Sequence, residues 1–202
     1  MSSSHVLALG RTEDAEAYRT ALAGGEVQLW TIDSWRELIR HVMAHPAPIS
    51  RLDLVGHGGP GFLFMGEDRL SLRRIDLLAD LSTVQKHLAE DCVVALLGCT
   101  VGISGDWPNS GPALLATLAS ILERELHAST CFTGVWAFGP EGYLRADVVV
   151  ASELVLDQQI ELCCDGVNPY QHRTRLVESA RQSLEEVKAL NQELFEKGGH
   201  YA

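Results

Sequence analysis

Leu52-Asp53-Leu54-Val55-Gly56-His57-Gly58-Gly59-Pro60-Gly61 and Cys92-Val93-Val94-Ala95-Leu96-Leu97-Gly98-Cys99-Thr100-Val101-Gly102 are the two stretches that decide how this chain folds. Each is a short apolar run, rich in leucine and β-branched residues, that stops at a reactive side chain flanked by glycine. Apolar runs of about four to eight residues bounded by turn residues read as strands buried on both faces. In an open α/β sheet, chemistry gathers at the carboxyl ends of the strands. Two parallel neighbours ending in His57 and Cys99 place an imidazole beside a thiol, the minimum for a cysteine nucleophile.

Outward from these blocks, strands and helices alternate. His5 to Gly10 reads as a buried first strand. Thr12 to Leu22 reads as a helix with Thr12 as its cap and Gly24-Gly25 as its stop. Val27 to Ile32 is the second strand. Ser34 caps a helix whose apolar positions Trp35, Leu38, Ile39, Val42 and Met43 keep helical spacing, and His45-Pro46-Ala47-Pro48 ends it. Arg51 to Gly56 is the third strand, Gly61 to Leu72 a small hairpin, Arg73 to Leu88 a helix and Cys92 to Leu97 the fourth strand. A polar, glycine-rich loop from Gly102 to Gly111 leads to a helix opened by Pro112 and running to about Leu126. Ser129 to Phe138 is a fifth β-rich run, and Ala146–Leu156 with Gln159–Cys164 reads as a second hairpin.

From Tyr170 the chain turns charged and helical, with Val177, Ala180, Leu184, Val187 and Leu194 on one apolar stripe. The alternation predicts a three-layer α/β sandwich with a mostly parallel central sheet flanked by helices. One domain is expected over 1–202, with its catalytic core at about 5–165 and a C-terminal helix at about 170–197.

The 202 residues, 46% of them apolar, are enough for a substantial core. The net charge of -11 argues against nucleic acid and against an anionic membrane surface, both of which need a basic face. No run approaches the roughly 18 apolar residues of a membrane span, and Met1-Ser2-Ser3-Ser4-His5 does not open like a secretory leader. The five cysteines are odd in number and lack a Cys-x-x-Cys pair, so neither a disulfide framework nor a zinc knuckle is expected. A cytoplasmic protein with no cofactor and no metal follows.

A free thiol titrates near 8.5 and is mostly protonated at neutral pH. A neighbouring imidazole can take the proton, and the thiolate then attacks a carbonyl to form a thioester. The oxyanion that develops needs donors already in place. The N–H of Gly58, free of any side chain, and the N–H of Cys99 are the candidates. A lone buried cysteine is ordinarily an inert small hydrophobe. A lone strand-end histidine is ordinarily a satisfied polar residue. The pairing, with glycine at both, is what points to catalysis.

The strand-His-Gly block (Leu54-Val55-Gly56-His57-Gly58), the hairpin after it and the strand-Cys block (Gly98-Cys99-Thr100-Val101-Gly102) resemble the caspase-like cysteine peptidases. That group includes caspases, metacaspases, gingipains, separase and the CHAT domains. The likeness covers about Arg51 to Phe138 and is greatest to bacterial domains of the group. It implies a His/Cys dyad without an obligatory third member: Cys99 the nucleophile, His57 the general acid/base, and the amides of Gly58 and Cys99 the oxyanion hole. The chain lacks the Gln-Ala-Cys-x-Gly of caspases and the Asp-Ser/Ala-Cys-x-Ser-Gly of metacaspases, so aspartate specificity does not carry over. The acidic residues Asp53, Asp91 and Asp106 near the two blocks favour a basic residue before the cut. Trp107, Trp136 and Phe138 either wall a substrate groove or pack in the core; Asp53, Asp106 and Trp136 are the named substrate contacts.

The resemblance also implies a protein or peptide substrate and a regulatory protein partner. It suggests a restrained effector released by a partner, a ligand or autocleavage, with a role in defence. The C-terminal helix is the expected regulatory contact. Two other readings stand beside it. One is a catalytically silent interaction module of the same fold. The other is an anion- or nucleotide-binding α/β domain with Gly56–Gly61 as its loop, although that loop has neither G-x-G-x-x-G nor G-x-x-x-x-G-K-[ST] spacing.

Overall fold

Strands and helices do alternate in the computed structural model of the chain, which describes residues 4–11, 13–104, 109–144 and 148–151. The order begins β1 (His5–Gly10), α1 (Ala15–Ala21), β2 (Gln28–Ile32), α2 (Trp35–Ala44) and β3 (Ile49–Val55). A three-stranded antiparallel meander follows: β4 (Gly58–Gly59), β5 (Phe62–Met65) and β6 (Asp68–Ser71). Then come α3 (Ile75–Ser82), β7 (Leu88–Leu97), α4 (Gly111–Leu122) and β8 (Glu125–Ser129). The short pair β9 (Phe138–Gly139) and β10 (Gly142–Tyr143) precedes β11 (Val148–Ala151).

The central sheet has the order β11-β8-β7-β3-β1-β2. Its five strands β2-β1-β3-β7-β8 are parallel, and β11 adds an antiparallel edge. From β1 the chain steps outward to β2, then returns past β1 to β3 and continues the other way through β7 and β8. The reversal puts a topological switch point at the carboxyl ends of β1 and β3, where open α/β sheets hold their ligands.

The period-2 alternation of a strand divides the core between the two faces of the sheet. Val6, Ala8, Leu52, Leu54, Val94 and Leu96 face one core with Trp35, Leu38 and Val42 of α2, Leu77 and Leu78 of α3, and Leu114, Leu115 and Leu118 of α4. Leu7, Leu9, Val55, Ala95 and Leu97 face the other, with Tyr18 of α1 and with Leu22, Ala137 and Phe138. Both faces are covered, as a parallel sheet requires, and the result is the expected three-layer sandwich with helices on either side of a mostly parallel sheet.

Several boundaries differ from the sequence reading. Asp14, not Thr12, caps α1, its carboxylate accepting from the N–H groups of Glu16 and Ala17. The helix expected over Arg73–Leu88 stops at Ser82, and a 3-10 turn at Gln85–His87 leads directly into β7. The helix expected to reach about Leu126 ends at Leu122, because Glu123 adopts a left-handed conformation (φ 51) that breaks the helical turn. Residues 125–129 then pair with β7, displacing the fifth strand from its expected place at Ser129–Phe138. The hairpin expected after residue 61 is a meander that starts at Gly58, immediately after His57. Val148–Ala151 joins the main sheet beside β8. The second arm of the expected hairpin, Gln159–Cys164, and the C-terminal helix at 170–197 lie outside the described residues.

Trp35 is fully buried, and its indole N–H donates to the Asp68 carbonyl at 3.0 Å, fastening α2 to the meander. Trp35→Ala is expected to cost about 3–5 kcal/mol in urea unfolding, the range for deleting a buried aromatic. A loss below about 1 kcal/mol, typical of a surface change, would contradict this packing.

Candidate active site

The register of β3 on β7 sets the geometry of the site. Val55 pairs with Leu97, and each strand then runs on through one glycine to His57 and to Cys99. Equal overrun from a matched pair brings both residues out at the same level of neighbouring strands. The meander that begins at Gly58 holds this arrangement. The Phe64 N–H donates to the His57 carbonyl at 2.7 Å, and the Gly61 N–H donates to the Val101 carbonyl at 3.1 Å, binding the His57 side to the Cys99 side. A Cβ on Gly58 would lie 2.6 Å from Val101 Cγ2 and 3.2 Å from Gly98 Cα, and one on Gly98 would lie 2.9 Å from the Gly56 carbonyl oxygen. The two strand exits touch backbone to backbone, which is the local reason for glycine at each. Gly58, at the start of β4, and Cys99, just past β7, the expected oxyanion donors, therefore stand on abutting segments.

Cys99 is half-buried, and its Sγ lies 3.8 Å from the Thr133 carbonyl oxygen. The next residue, Thr100, has φ 57, a left-handed conformation that costs a β-branched residue about 1–3 kcal/mol. Hydrogen bonds on every side hold the strained turn. The Thr100 N–H donates to the Cys131 carbonyl (3.0 Å), that of Gly102 to Ser129 (2.8 Å) and that of Ile103 to Thr100 (3.1 Å), while the Ser129 hydroxyl donates to the Gly98 carbonyl. The chain leaves β7 abruptly and presents the thiol at the strand end. Cys92, at the other end of the same strand, is buried, and that burial pushes its thiol up to about 12.

His57 is exposed over 68% of its side chain, and its Nδ1 lies 3.5 Å from Glu13 Oε1. Glu13 sits in the connection between β1 and α1, its N–H donating to the Gly10 carbonyl at 2.9 Å. From α1, the buried Tyr18 reaches the same corner. Its phenol is raised above the ordinary tyrosine range by burial first, then by the nearby Glu13 carboxylate and the Cys99 sulfur. Neither Glu13 nor Tyr18 stood out in the sequence. The only available signal was an acidic residue just past the first strand, and its value depends on β1 lying next to β3.

The remaining expected site residues separate. Asp53 does not reach the strand exits. It lies within β3 opposite Leu7 and Ala95, with 0% exposure, and its carboxylate is engaged by Arg51 Nε (3.0 Å) and His5 Nε2 (2.8 Å). Asp91 lies in the first half of β7, away from the end that carries Cys99. Phe138 is core, its ring stacked edge-on with Tyr18 (5.1 Å) and Tyr143 (5.3 Å). Trp136 remains a surface residue, 62% exposed, on the 3-10 turn Val135–Ala137 that follows Thr133 and so on the thiol's side of the site. Asp106 and Trp107 lie outside the described residues. Among the described residues, no group of three or more His, Cys, Asp or Glu is arranged to hold a metal ion. The glycine run after His57 leads into strands, so no helix N-terminus faces an anion there.

Residues 13–162 match the family described as Domain of unknown function (DUF4347), which is more than half of the 202-residue chain. The chain belongs to this family. No curated protein matches it. The DUF4347 match starts at Glu13 and includes Tyr18, His57 and Cys99, so the whole corner just described lies within the family domain. Among the described residues of this DUF4347 domain, no helix is long and apolar enough to cross a membrane.

Two outcomes check the geometry. Iodoacetamide is expected to label Cys99 in the native protein while sparing Cys92, whereas both react in denaturant; equal native labelling would contradict the contrast in burial. Gly58→Ala is expected to destabilise the chain by about 1–3 kcal/mol, as overpacking does, and to slow Cys99 labelling by moving the meander away from the Cys99 loop. An unchanged urea midpoint would show that the two exits are not in contact.

Proposed function

We propose that this DUF4347 domain is a caspase-like cysteine peptidase that cleaves protein or peptide substrates with Cys99 as nucleophile and His57 as general acid/base. The observation that carries this reading is the Val55–Leu97 pairing of two parallel strands, which leaves His57 and Cys99 each two residues beyond the same rung, next to the switch point of the sheet. The strained Thr100 adds to it, since backbone strain that the surroundings hold in place collects at functional sites.

The chemistry follows from the parts. His57 takes the Cys99 proton, and the thiolate attacks the scissile carbonyl carbon, forming a C–S bond and an oxyanion that the Gly58 and Cys99 amides receive. The imidazolium returns its proton to the leaving nitrogen as the C–N bond breaks, releasing the amine and leaving a thioester. Water, deprotonated by His57, attacks the thioester; the carboxylic acid departs and the proton returns to the thiolate. The peptide bond and one water are consumed, and the enzyme is restored.

With Asp53 committed to Arg51 and His5, the case for a basic residue before the cut rests on Asp106, and Trp136 is the aromatic that walls the groove. We place the domain in the cytoplasm, under a regulatory partner, a ligand or autocleavage that restrains it. The negative charge and the free thiols of Cys92 and Cys99 support the first part.

The test is cleavage of a fluorogenic peptide set varied at the residue before the cut. Activity confined to one residue class and lost in Cys99→Ala is expected. His57→Ala should lower it by roughly 10²–10⁴-fold, the usual contribution of a positioned acid/base. Cleavage that survives Cys99→Ala would overturn the reading. So would absence of cleavage together with Cys99 labelling that does not depend on His57, which favours the silent interaction module.

A further inference from the structure

Given the dyad proposed above, we infer that Glu13 is a positioning residue for it: its carboxylate holds the His57 ring by Nδ1 and leaves Nε2 as the nitrogen that serves Cys99. The resemblance on which the dyad was read implies two members, and nothing in the two sequence blocks points to a third.

Three features of the fold meet at this carboxylate. β1 lies beside β3, with Leu9 paired to Val55, so the connection after β1 and the exit of β3 emerge together at the switch point. The Glu13 N–H donates to the Gly10 carbonyl, tying Glu13 to the end of β1. Glu13 Oε1 then lies 3.5 Å from His57 Nδ1, and Glu13 forms no other ion pair among the described residues.

The two partners differ in exposure. The His57 side chain is 68% exposed and hangs from a backbone pinned at its carbonyl, whereas Glu13 is 21% exposed and sits in the wall. An exposed imidazole on two free torsions samples many orientations, and in water either nitrogen can carry the proton. A fixed acceptor at one nitrogen selects both the ring orientation and the tautomer. With a proton on Nδ1 facing Glu13, Nε2 has a free lone pair and can accept from the thiol. This is the logic by which a third group orients a base beside its nucleophile.

Tyr18 is independent evidence that the corner is shared. Burial raises its phenol first, and the Glu13 carboxylate and the Cys99 sulfur both add to that rise. The carboxylate and the thiol thus lie near one buried ring of α1, on the face that also packs Val55 and Leu97, and the imidazole joins them through its 3.5 Å contact with Glu13. Charge at the corner comes from Glu13 and from the dyad itself, with the phenol adding none.

The experiment uses the full chain and reads two signals in wild type, Glu13→Gln, Glu13→Ala and His57→Ala. The first is the ¹⁵N–¹H correlation of the His57 ring, assigned by its loss in His57→Ala. The second is the rate of Cys99 alkylation by iodoacetamide. Far-UV circular dichroism and the urea midpoint are compared to show that the variants fold.

Wild-type His57 is expected in the Nδ1–H tautomer. Both Glu13 variants are expected to lose that preference and to alkylate Cys99 at least about tenfold more slowly, a fraction of the roughly 10²–10⁴-fold available from acid/base assistance. A tautomer that is the same with and without Glu13 overturns the role of Glu13, and so does a changed tautomer with an unchanged alkylation rate. In either case slow alkylation in His57→Ala leaves the dyad standing. An alkylation rate indifferent to His57→Ala overturns the dyad instead, and with it the function that Glu13 is inferred to serve.

Discussion

The parallel pairing of β3 with β7 is the interaction on which the rest depends. These are the two middle strands of the sheet, flanked by β1 and β8, and apart from the ion-paired Asp53 their carboxyl halves are apolar on both faces. Because successive side chains of a strand point to opposite faces, a slip of one residue would turn Val55 and Leu97 from the α1 side to the α2–α4 side and expose the mismatch to both cores. The register is therefore held by burial over the carboxyl halves of the strands, Leu52–Val55 and Val94–Leu97. Its consequence is felt outside them, since the first two residues beyond the Val55–Leu97 pair reach His57 on one strand and Cys99 on the other.

A second constraint is the close approach of the strand exits. Gly56, Gly58 and Gly98 leave no room for side chains between the meander and the Cys99 loop. The tight contact turns the meander into a brace for the loop, tied through the Gly61–Val101 hydrogen bond. Thr100 follows Cys99 in a conformation that a β-branched residue adopts only under compulsion. The compulsion is visible in the hydrogen bonds to Ser129 and Cys131, which fasten the turn to the end of β8 and the loop after it. The stability of a braced sheet thus maintains a local strain that places one thiol at a strand end, while the thiol of Cys92, on the same strand, is sealed in apolar surroundings.

Much of the architecture was legible residue by residue. The apolar runs at His5–Gly10 and Cys92–Leu97 and the Ser34 cap with its helical stripe carry local signals that the structure keeps. The misses are of one kind. α3 and α4 end earlier than their composition suggests, because leucine and alanine fit a helix or a buried strand equally well; Leu126 and Ala128 go to β8 because β7 offers a parallel edge there. Asp53 looked like a free acid beside the strand-His block. Its partners, His5 and Arg51, become visible only when β1 is laid against β3. Phe138 is drawn into the α1-side core by Tyr18 and Tyr143, whereas Trp136, nearby in sequence, stays exposed.

By itself, the sequence determined which residues can carry chemistry and that they stand at strand ends, because apolar period, glycine and a reactive side chain are local properties. Only the tertiary structure decided what stands beside them. The order of strands in the sheet is set by long-range burial and by the reversal of the chain between β2 and β3, neither of which leaves a mark on any short stretch of residues. That order is what puts the connection after β1, with Glu13, against the exit of β3, and α1, with Tyr18, beneath the exits of β3 and β7.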